Sequence, residues 1–333
     1  MARELRAAVF GVGHLGRHHA RILASLPGVQ LVAVVDPDAE RGRGAADRHG
    51  CAWHPDGSAL TESLDLAVVA VPTSLHAETA APLLRRGVAC LVEKPLAPTP
   101  DDCRSLIEAA RAGGATLAVG QVERFNPAIR RAMDLGIRPR FIEAHRLAPY
   151  PFRATDVGVV LDLMIHDLDL ALAWTGSEII SVDAVGGSTL SSTEDIVSVR
   201  LRFADGAAAN LTASRLSLKP MRRFRVFGPD CYVSVDSRER YALLVRKSPD
   251  FSPAAVAAAG RAADPAAAFR GLLQIEELPI NDDEPLRAEL EDVVDAVRSR
   301  RAPRVSGADG LRAVEAAHRV LQALAVDPSW RQP

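Results

Sequence analysis

The chain has 333 residues, 48% hydrophobic and 25% charged, with 40 Lys+Arg set against 42 Asp+Glu. That length suffices for two domains with real cores, and the balanced charge excludes a chain that works through a global field on nucleic acid or an anionic membrane. Cys51, Cys90, Cys103 and Cys231 fall in no metal-type spacing and no apolar run approaches a bilayer span, so the chain reads as a cytoplasmic protein with free thiols, no bound metal and no membrane partner.

Residues 5–10 read as a strand, followed by a glycine-rich turn and a helix over 15–26. The turn is Gly11-Val-Gly13-His14-Leu15-Gly16, a G-x-G-x-x-G that leaves a strand and opens a helix. In that setting Gly11 permits a tight turn, Gly13 lets backbone approach a pyrophosphate, and Gly16 allows close helix–strand packing. The helix N-terminus then offers N–H groups to phosphate, with His14 and Leu15 beside it. A second strand over 30–35 ends at Asp36, where a carboxylate suits the adenosine ribose hydroxyls and repels a 2′-phosphate. NAD is therefore the expected cofactor, and Arg41 close by keeps NADP open. A helix over 38–49, a nearly all-apolar strand over 66–71, a helix over 77–86, a strand over 89–92, a helix over 101–112 and a strand over 116–120 follow. Such alternation means βαβ units: an α/β fold with an N-terminal Rossmann, doubly wound parallel sheet.

After Gly120 the pattern changes. A helix over 129–135 leads to an alternating strand over 140–147 and a helix over 159–174. Strand-like runs follow at 180–186, 196–203, 207–214, 224–227 and 232–236, with turn signals at Ala204-Asp205-Gly206 and Gly228-Pro229-Asp230. These predict a C-terminal α+β domain with one large, mostly antiparallel open sheet. The Ala-rich stretch 254–268 fits either an excursion or a short helix, and helices over 286–298 and 308–324 close the chain. The boundary falls near 122: residues 1–122 hold the cofactor, and 123–333 hold substrate and assemble copies. Apolar residues on an open sheet face call for a second copy, so a homo-oligomer, dimer or tetramer, is expected.

Two further constellations carry chemistry. The strand over 89–92 runs into Glu93-Lys94-Pro95, and a lysine at the carboxyl end of a parallel strand faces the crevice where such sheets bind ligands. Alone it also reads as a surface lysine. Asp162 and His166 stand four residues apart on one helix face, as an ordinary surface pair also would. Oxidation of a carbinol needs these types: a histidine base for the hydroxyl proton, and a cation to stabilise the developing alkoxide.

Taken in order, the glycine motif, Pro72-Thr73 through His76, Glu93-Lys94-Pro95, Arg124-Phe-Asn126-Pro127 and Asp162…His166 resemble the Gfo/Idh/MocA oxidoreductases of sugars and inositols, over essentially the whole chain. The resemblance implies catalytic roles for Lys94, Asp162 and His166. It also implies cofactor contacts from Pro72, Thr73, His76, Glu93, Lys94, Gln121 and Arg124, and substrate contacts from Lys94, Asn126, Asp162 and His166. A narrower likeness is to a branch encoded with lipid A genes, which oxidises C3 of UDP-N-acetylglucosamine. It rests on residues 120–127, 162–169 and 214–223, where Gln121 replaces an expected histidine and Pro220 an expected lysine. Arg215, Lys219, Arg222 and Arg223 would supply cations for a diphosphate, although solvated edge-strand charges look the same. A free sugar or an inositol remains the alternative substrate. A non-catalytic NAD(P)-binding regulator is disfavoured, because Lys94, Asp162 and His166 are all present.

Other features have simpler readings. His18-His19 lacks carboxylates in metal spacing, Asp282-Asp283-Glu284 caps a helix, and Asp167 and Asp169 face solvent or fix their helix, with Asp167 also within the range of a substrate.

Overall fold

The computed structural model describes residues 3–58, 60, 64–150 and 157–325. The chain folds into two units, Met1–Phe125 with Asp283–His318, and Asn126–Asp282 with Arg319–Pro333.

The first unit begins with β1 (Leu5–Phe10), α1 (Gly16–Leu23), β2 (Val29–Val35), α2 (Ala39–His49) and β3 (Ala52–His54). It continues with β4 (Leu66–Val69), a 3₁₀ turn (Thr73–Leu75), α3 (His76–Arg85), β5 (Ala89–Glu93), α4 (Pro100–Gly113), β6 (Leu117–Gly120) and a 3₁₀ turn (Val122–Phe125). Its six strands are parallel in the order β3-β2-β1-β4-β5-β6, the doubly wound arrangement. Every residue of β4 and β5 is buried, as expected of central strands covered on both faces.

The second unit opens with α5 (Pro127–Met133) and β7 (Phe141–Leu147). A π-helical run (Val160–Met164) then continues into α6 (Ile165–Thr175). The strands β8 (Ile179–Gly187), β9 (Ile196–Phe203), β10 (Ala208–Ser214), β11 (Met221–Phe227), β12 (Cys231–Asp236) and β13 (Tyr241–Lys247) follow. Two short helices, α7 (Pro253–Ala259) and α8 (Pro265–Arg270), precede the last strand, β14 (Leu273–Glu277). The sheet order is β14-β13-β12-β11-β7-β10-β9-β8, antiparallel at every pair except β7–β10. The Ala-rich stretch therefore holds two helices, capped by Ser252 and Asp264, which accept the Ala255 and Ala267 N–H groups.

Helices α5 and α6 pack on one face of this sheet. The other face is less apolar than the sequence reading assumed. Arg200, Asn210, Glu143, Arg225 and Ser234 form a row across neighbouring strands, with Arg225 and Glu143 paired at 3.2 Å. Apolar character concentrates at one end of that face, where Phe227 packs between Phe141 and Tyr232.

The chain then returns to the first unit through α9 (Pro285–Ser299) and enters α10 (Gly307–Ala325). The sequence division at 122 kept these residues in the second domain. They depart from it because Leu290, Val293 and Val294 bury themselves in the core formed by Val9, Leu23 and Val68. Among the described residues no helix is long and apolar enough to cross a membrane. All four cysteines are free thiols; Cys90 and Cys103 are buried, and Cys51 and Cys231 are half-buried.

Candidate active site

The loop after β1 is shaped by what its glycines exclude. Gly11 has φ 81°, and a Cβ there would lie 2.7 Å from the Ala70 carbonyl oxygen. A Cβ on Gly16 would fall 1.7 Å from the Gly11 oxygen, whereas one on Gly13 meets nothing within 4 Å. Helix α1, with Leu15 at its N-cap position, has no side-chain cap and no acidic residue in its first turn, while α2, α4 and α5 are capped by Asp38, Thr99 and Asn126. Open space over Gly13 and uncapped N–H groups suit a pyrophosphate. His14 and Leu15 are exposed beside it. At the carboxyl ends of β1, β2 and β4 lies a cavity of about 580 Å³, lined in part by Phe10, Val35, Pro37, Val71, Leu75 and Thr79. These residues fit the nucleoside end of a dinucleotide.

Asp36, 2% exposed, lies between Val35 and Pro37 of that lining. Its carboxylate accepts Val12 N–H at 2.9 Å and Asp38 N–H at 3.0 Å, and Arg41 grips both oxygens at 3.0 and 2.7 Å. Burial alone would raise the Asp36 carboxyl; the Arg41 hydrogen bonds and the two backbone amides outweigh it and hold the group below its ordinary value. With its acceptor sites filled, Asp36 can receive ribose hydroxyls only as Arg41 gives way. Arg41 is half exposed and has room to do so.

The residues after β4 and β5 divide into open and buried ones. Pro72 is exposed and Thr73 half-buried. His76 is 1% exposed, with Nδ1 3.0 Å from Pro95 O and Nε2 3.0 Å from Val71 O, and burial lowers its pKa. Expected as a cofactor contact, it instead ties the E-K-P segment to the loop after β4. Lys94 is half-buried and joined to Pro95 by a cis peptide, and Glu93 is buried against His19. Gln121 is 1% exposed, and Arg124 lies 3.6 Å from Asp309 of α10. Both are thus built into the first unit.

In the second unit, Asp162 falls in the π-helical run and His166 in α6. Met164, Ile165, Asp167 and Leu168 are buried while Asp162 and His166 are half-buried, so the pair occupies the more open side. Asp167 and Asp169 do not face solvent: they are 4% and 2% exposed, and Arg146 of β7 holds Asp167 with two hydrogen bonds of 3.0 and 2.9 Å. Asn126 is 7% exposed and caps α5 while donating to Ser237 O at 2.9 Å, which occupies both ends of its amide.

Arg215, expected to grip a diphosphate, is 2% exposed. Its Nε donates to Asp195 at 2.7 Å, one terminal nitrogen to Val157 O at 2.8 Å, and the other to Ser191 Oγ and Thr193 Oγ1. Those bonds brace the approach to the Asp162 helix and leave no open fork for an anion. Lys219, Arg222 and Arg223 are exposed.

Residues 5–121 match the oxidoreductase family with an NAD-binding Rossmann fold, and residues 104–233 match the GFO/IDH/MocA C-terminal domain. Over 318 residues the chain is 35% identical to the UDP-N-acetylglucosamine 3-dehydrogenase of Acidithiobacillus ferrooxidans, covering 95% of this chain and 96% of that one. The chain belongs to the Gfo/Idh/MocA oxidoreductase family. A solved structure of the Acidithiobacillus ferrooxidans enzyme superposes with a TM-score of 0.86 at 34% identity, over 97% of this chain and 98% of that one. The scyllo-inositol 2-dehydrogenase (NAD(+)) of Bacillus subtilis is 30% identical over 65% of this chain and 69% of its own. As a Gfo/Idh/MocA protein the chain is a dehydrogenase acting on CH–OH groups, and its first unit is an NAD-binding domain.

Sequence reasoning missed several residues of this dehydrogenase. Glu194 accepts the Val160 N–H at 3.1 Å and so caps the run that carries Asp162. Asp195 anchors Arg215, and Glu289 of α9 lies buried beside Glu93 and His19. Glu289 left a signal: it occupies the apolar stripe of Leu286, Leu290, Val293 and Val294, where an acid is out of place.

Proposed function

We propose that this dehydrogenase oxidises a ring hydroxyl of a sugar, C3 of UDP-N-acetylglucosamine, with NAD as oxidant. The observation that carries the reading is the end-to-end likeness to a UDP-N-acetylglucosamine 3-dehydrogenase, together with Lys94, Asp162 and His166 in half-buried rather than sealed positions. NAD, held by the glycine loop and Asp36 of the first unit, would supply the hydride acceptor. His166 takes the hydroxyl proton, the Lys94 ammonium stabilises the oxygen as charge develops and relays a proton only by giving up one of its own before taking up another, and Asp162 orients the imidazole. Lys219, Arg222 and Arg223 remain the cations for a diphosphate, with Arg215 acting behind them. Assembly of copies through the second unit is supported by the apolar end of its outer sheet face, where Phe227 packs between Phe141 and Tyr232.

One observation favours a second substrate class. With Arg215 turned inward, fewer cations await a diphosphate, as an inositol or free-sugar enzyme would require. The test is to purify the chain, identify co-purified nucleotide by absorbance and mass spectrometry, and follow reduced nicotinamide with UDP-N-acetylglucosamine and with inositols. Turnover confined to inositols overturns the nucleotide-sugar reading.

A further inference from the structure

A sealed cluster sits behind Lys94. His19 of α1, Glu93 of β5 and Glu289 of α9 are 0%, 6% and 1% exposed, and one polar atom from each lies within 4.8 Å of the others. His19 Nε2 is 2.6 Å from Glu93 Oε1, and Glu93 Oε2 accepts the Lys94 N–H at 3.2 Å. Neither oxygen of Glu289 has a hydrogen-bond partner. Two carboxylates beside one imidazole in a dry site need a positive centre, which a metal ion or a proton can supply. The 2.6 Å contact favours the proton, because ligand atoms about 2.0–2.2 Å from one tetrahedral ion stand well over 3 Å apart. The hydrogen bonds say where it resides. Glu93 receives two donors and stays ionised; Glu289 receives none.

We infer that Glu289 is held as a neutral acid and is a positioning residue for Lys94, leaving Glu93 as the single charge that anchors the strand end. The inference rests on the role of Lys94 proposed above. Burial, then the charges of Glu93 and Asp292, push the Glu289 carboxyl well above the ordinary range. Burial alone would also raise Glu93, but His19 and Lys94 hold it below its ordinary value. The other charged or titratable groups on the elements packed most closely against α9 are Arg17, His18 and Arg21 of α1 and Glu123 and Arg124 of the 3₁₀ turn; α9 itself also carries Arg287, Glu291, Asp292, Asp295 and Arg298, of which Asp292 and Asp295 are paired with Arg301 and Arg287 with Glu291. Ionising Glu289 would put two like charges in one sealed site, where they titrate as a pair and loosen the Glu93 anchor.

The experiment uses the full-length chain with NAD and a substrate it accepts. Isotope-edited infrared difference between wild type and Glu289→Gln should show a protonated carboxylic acid at neutral pH. Glu289→Ala should lower kcat about tenfold with KM nearly unchanged, through misplacement of Lys94. Glu289→Gln should restore kcat at neutral pH and move the alkaline fall in kcat upward. Absence of the infrared band, or one equivalent of divalent metal in wild type that Glu289→Gln loses, overturns the neutral acid. A band present with superimposable kcat–pH profiles for wild type and Glu289→Gln overturns the positioning role. Failure of the underlying reading shows separately, as normal turnover in Lys94→Met.

Discussion

Asp195 and Glu289 are equally hidden, at 0% and 1% exposure, yet their surroundings are opposite. Asp195, just before β9, accepts the N–H groups of Thr189, Leu190 and Ser191, the Ser191 hydroxyl and Arg215 Nε. Burial alone would raise its carboxyl; the Leu190 and Thr189 amides, then Arg215 and Ser191, hold it far below the carboxylate range. Glu289 has no such donors and its carboxyl moves the other way. Donors, more than depth, decide whether a buried acid keeps its charge. Each acid also stands behind a candidate catalytic group. Glu289 backs Lys94 through Glu93, and Asp195 backs the Asp162 helix through Arg215.

The largest expected effects test whether these braces support chemistry at all. His166→Ala should lower turnover roughly 10²–10⁴-fold, the usual worth of a general base. Lys94→Met should cost roughly 10²–10³-fold. Both should keep most of the NAD affinity, because the phosphate loop lies elsewhere, and the double variant should lose far less than the product of the two. Near-native turnover in both single variants would leave the comparison purely structural.

Arg215→Leu breaks the charged brace directly. Removing the cation from buried Asp195, which then keeps only neutral donors, should cost about 3–5 kcal/mol of unfolding free energy, read by denaturant titration. If Arg215 gripped a diphosphate instead, KM would rise with stability intact.

Asp36 is the intermediate case, a buried acid whose guanidinium partner is half exposed. Asp36→Ser should weaken NAD binding by about 1.5–3 kcal/mol, the worth of hydrogen bonds to a charged group, and relax discrimination against NADP. Titrating wild type and variant with both dinucleotides checks this; a wild type that strongly prefers NADP contradicts it.

The smallest effects are in pH dependence. Asp195 is depressed on folding, so its contribution is full above its ordinary value of 3.8 and disappears as pH falls through the lower folded value. Glu289 is raised, so its contribution is full below 4.5 and declines as pH climbs toward the folded value. Unfolding free energy measured across pH should therefore flatten on the rising side in Glu289→Gln, while the acid side stays as steep as in wild type.

What the sequence revealed follows from how local each signal is. Gly11, Gly13 and Gly16 are fixed by contacts within one turn, and β4 and β5 are marked by unbroken apolar runs. Two of the four edge strands left little trace: β3 has three residues, and β14 is mostly exposed Gln and Glu. β13 also escaped, although Ala242, Leu244 and Val245 are buried there. Site residues were legible as types but not as orientations. Arg215 and Lys219 look alike in sequence; only tertiary packing turns one inward and leaves the other in water. Asn126 and His76 carry motif positions yet serve as a cap and a tether.

The return of residues 283–318 to the first unit has a consequence during synthesis. Leu290, Val293 and Val294 complete a core whose other side chains lie within the first 118 residues. At about 5–20 residues per second, a ribosome needs roughly ten to thirty seconds to travel from the end of β6 to α9. Through that interval the nascent Rossmann sheet carries uncovered apolar surface, and Glu93 has yet to meet Glu289. A chain halted after residue 282 should therefore be held by chaperones or aggregate although all six parallel strands are present, and supplying a peptide of 283–325 should rescue it.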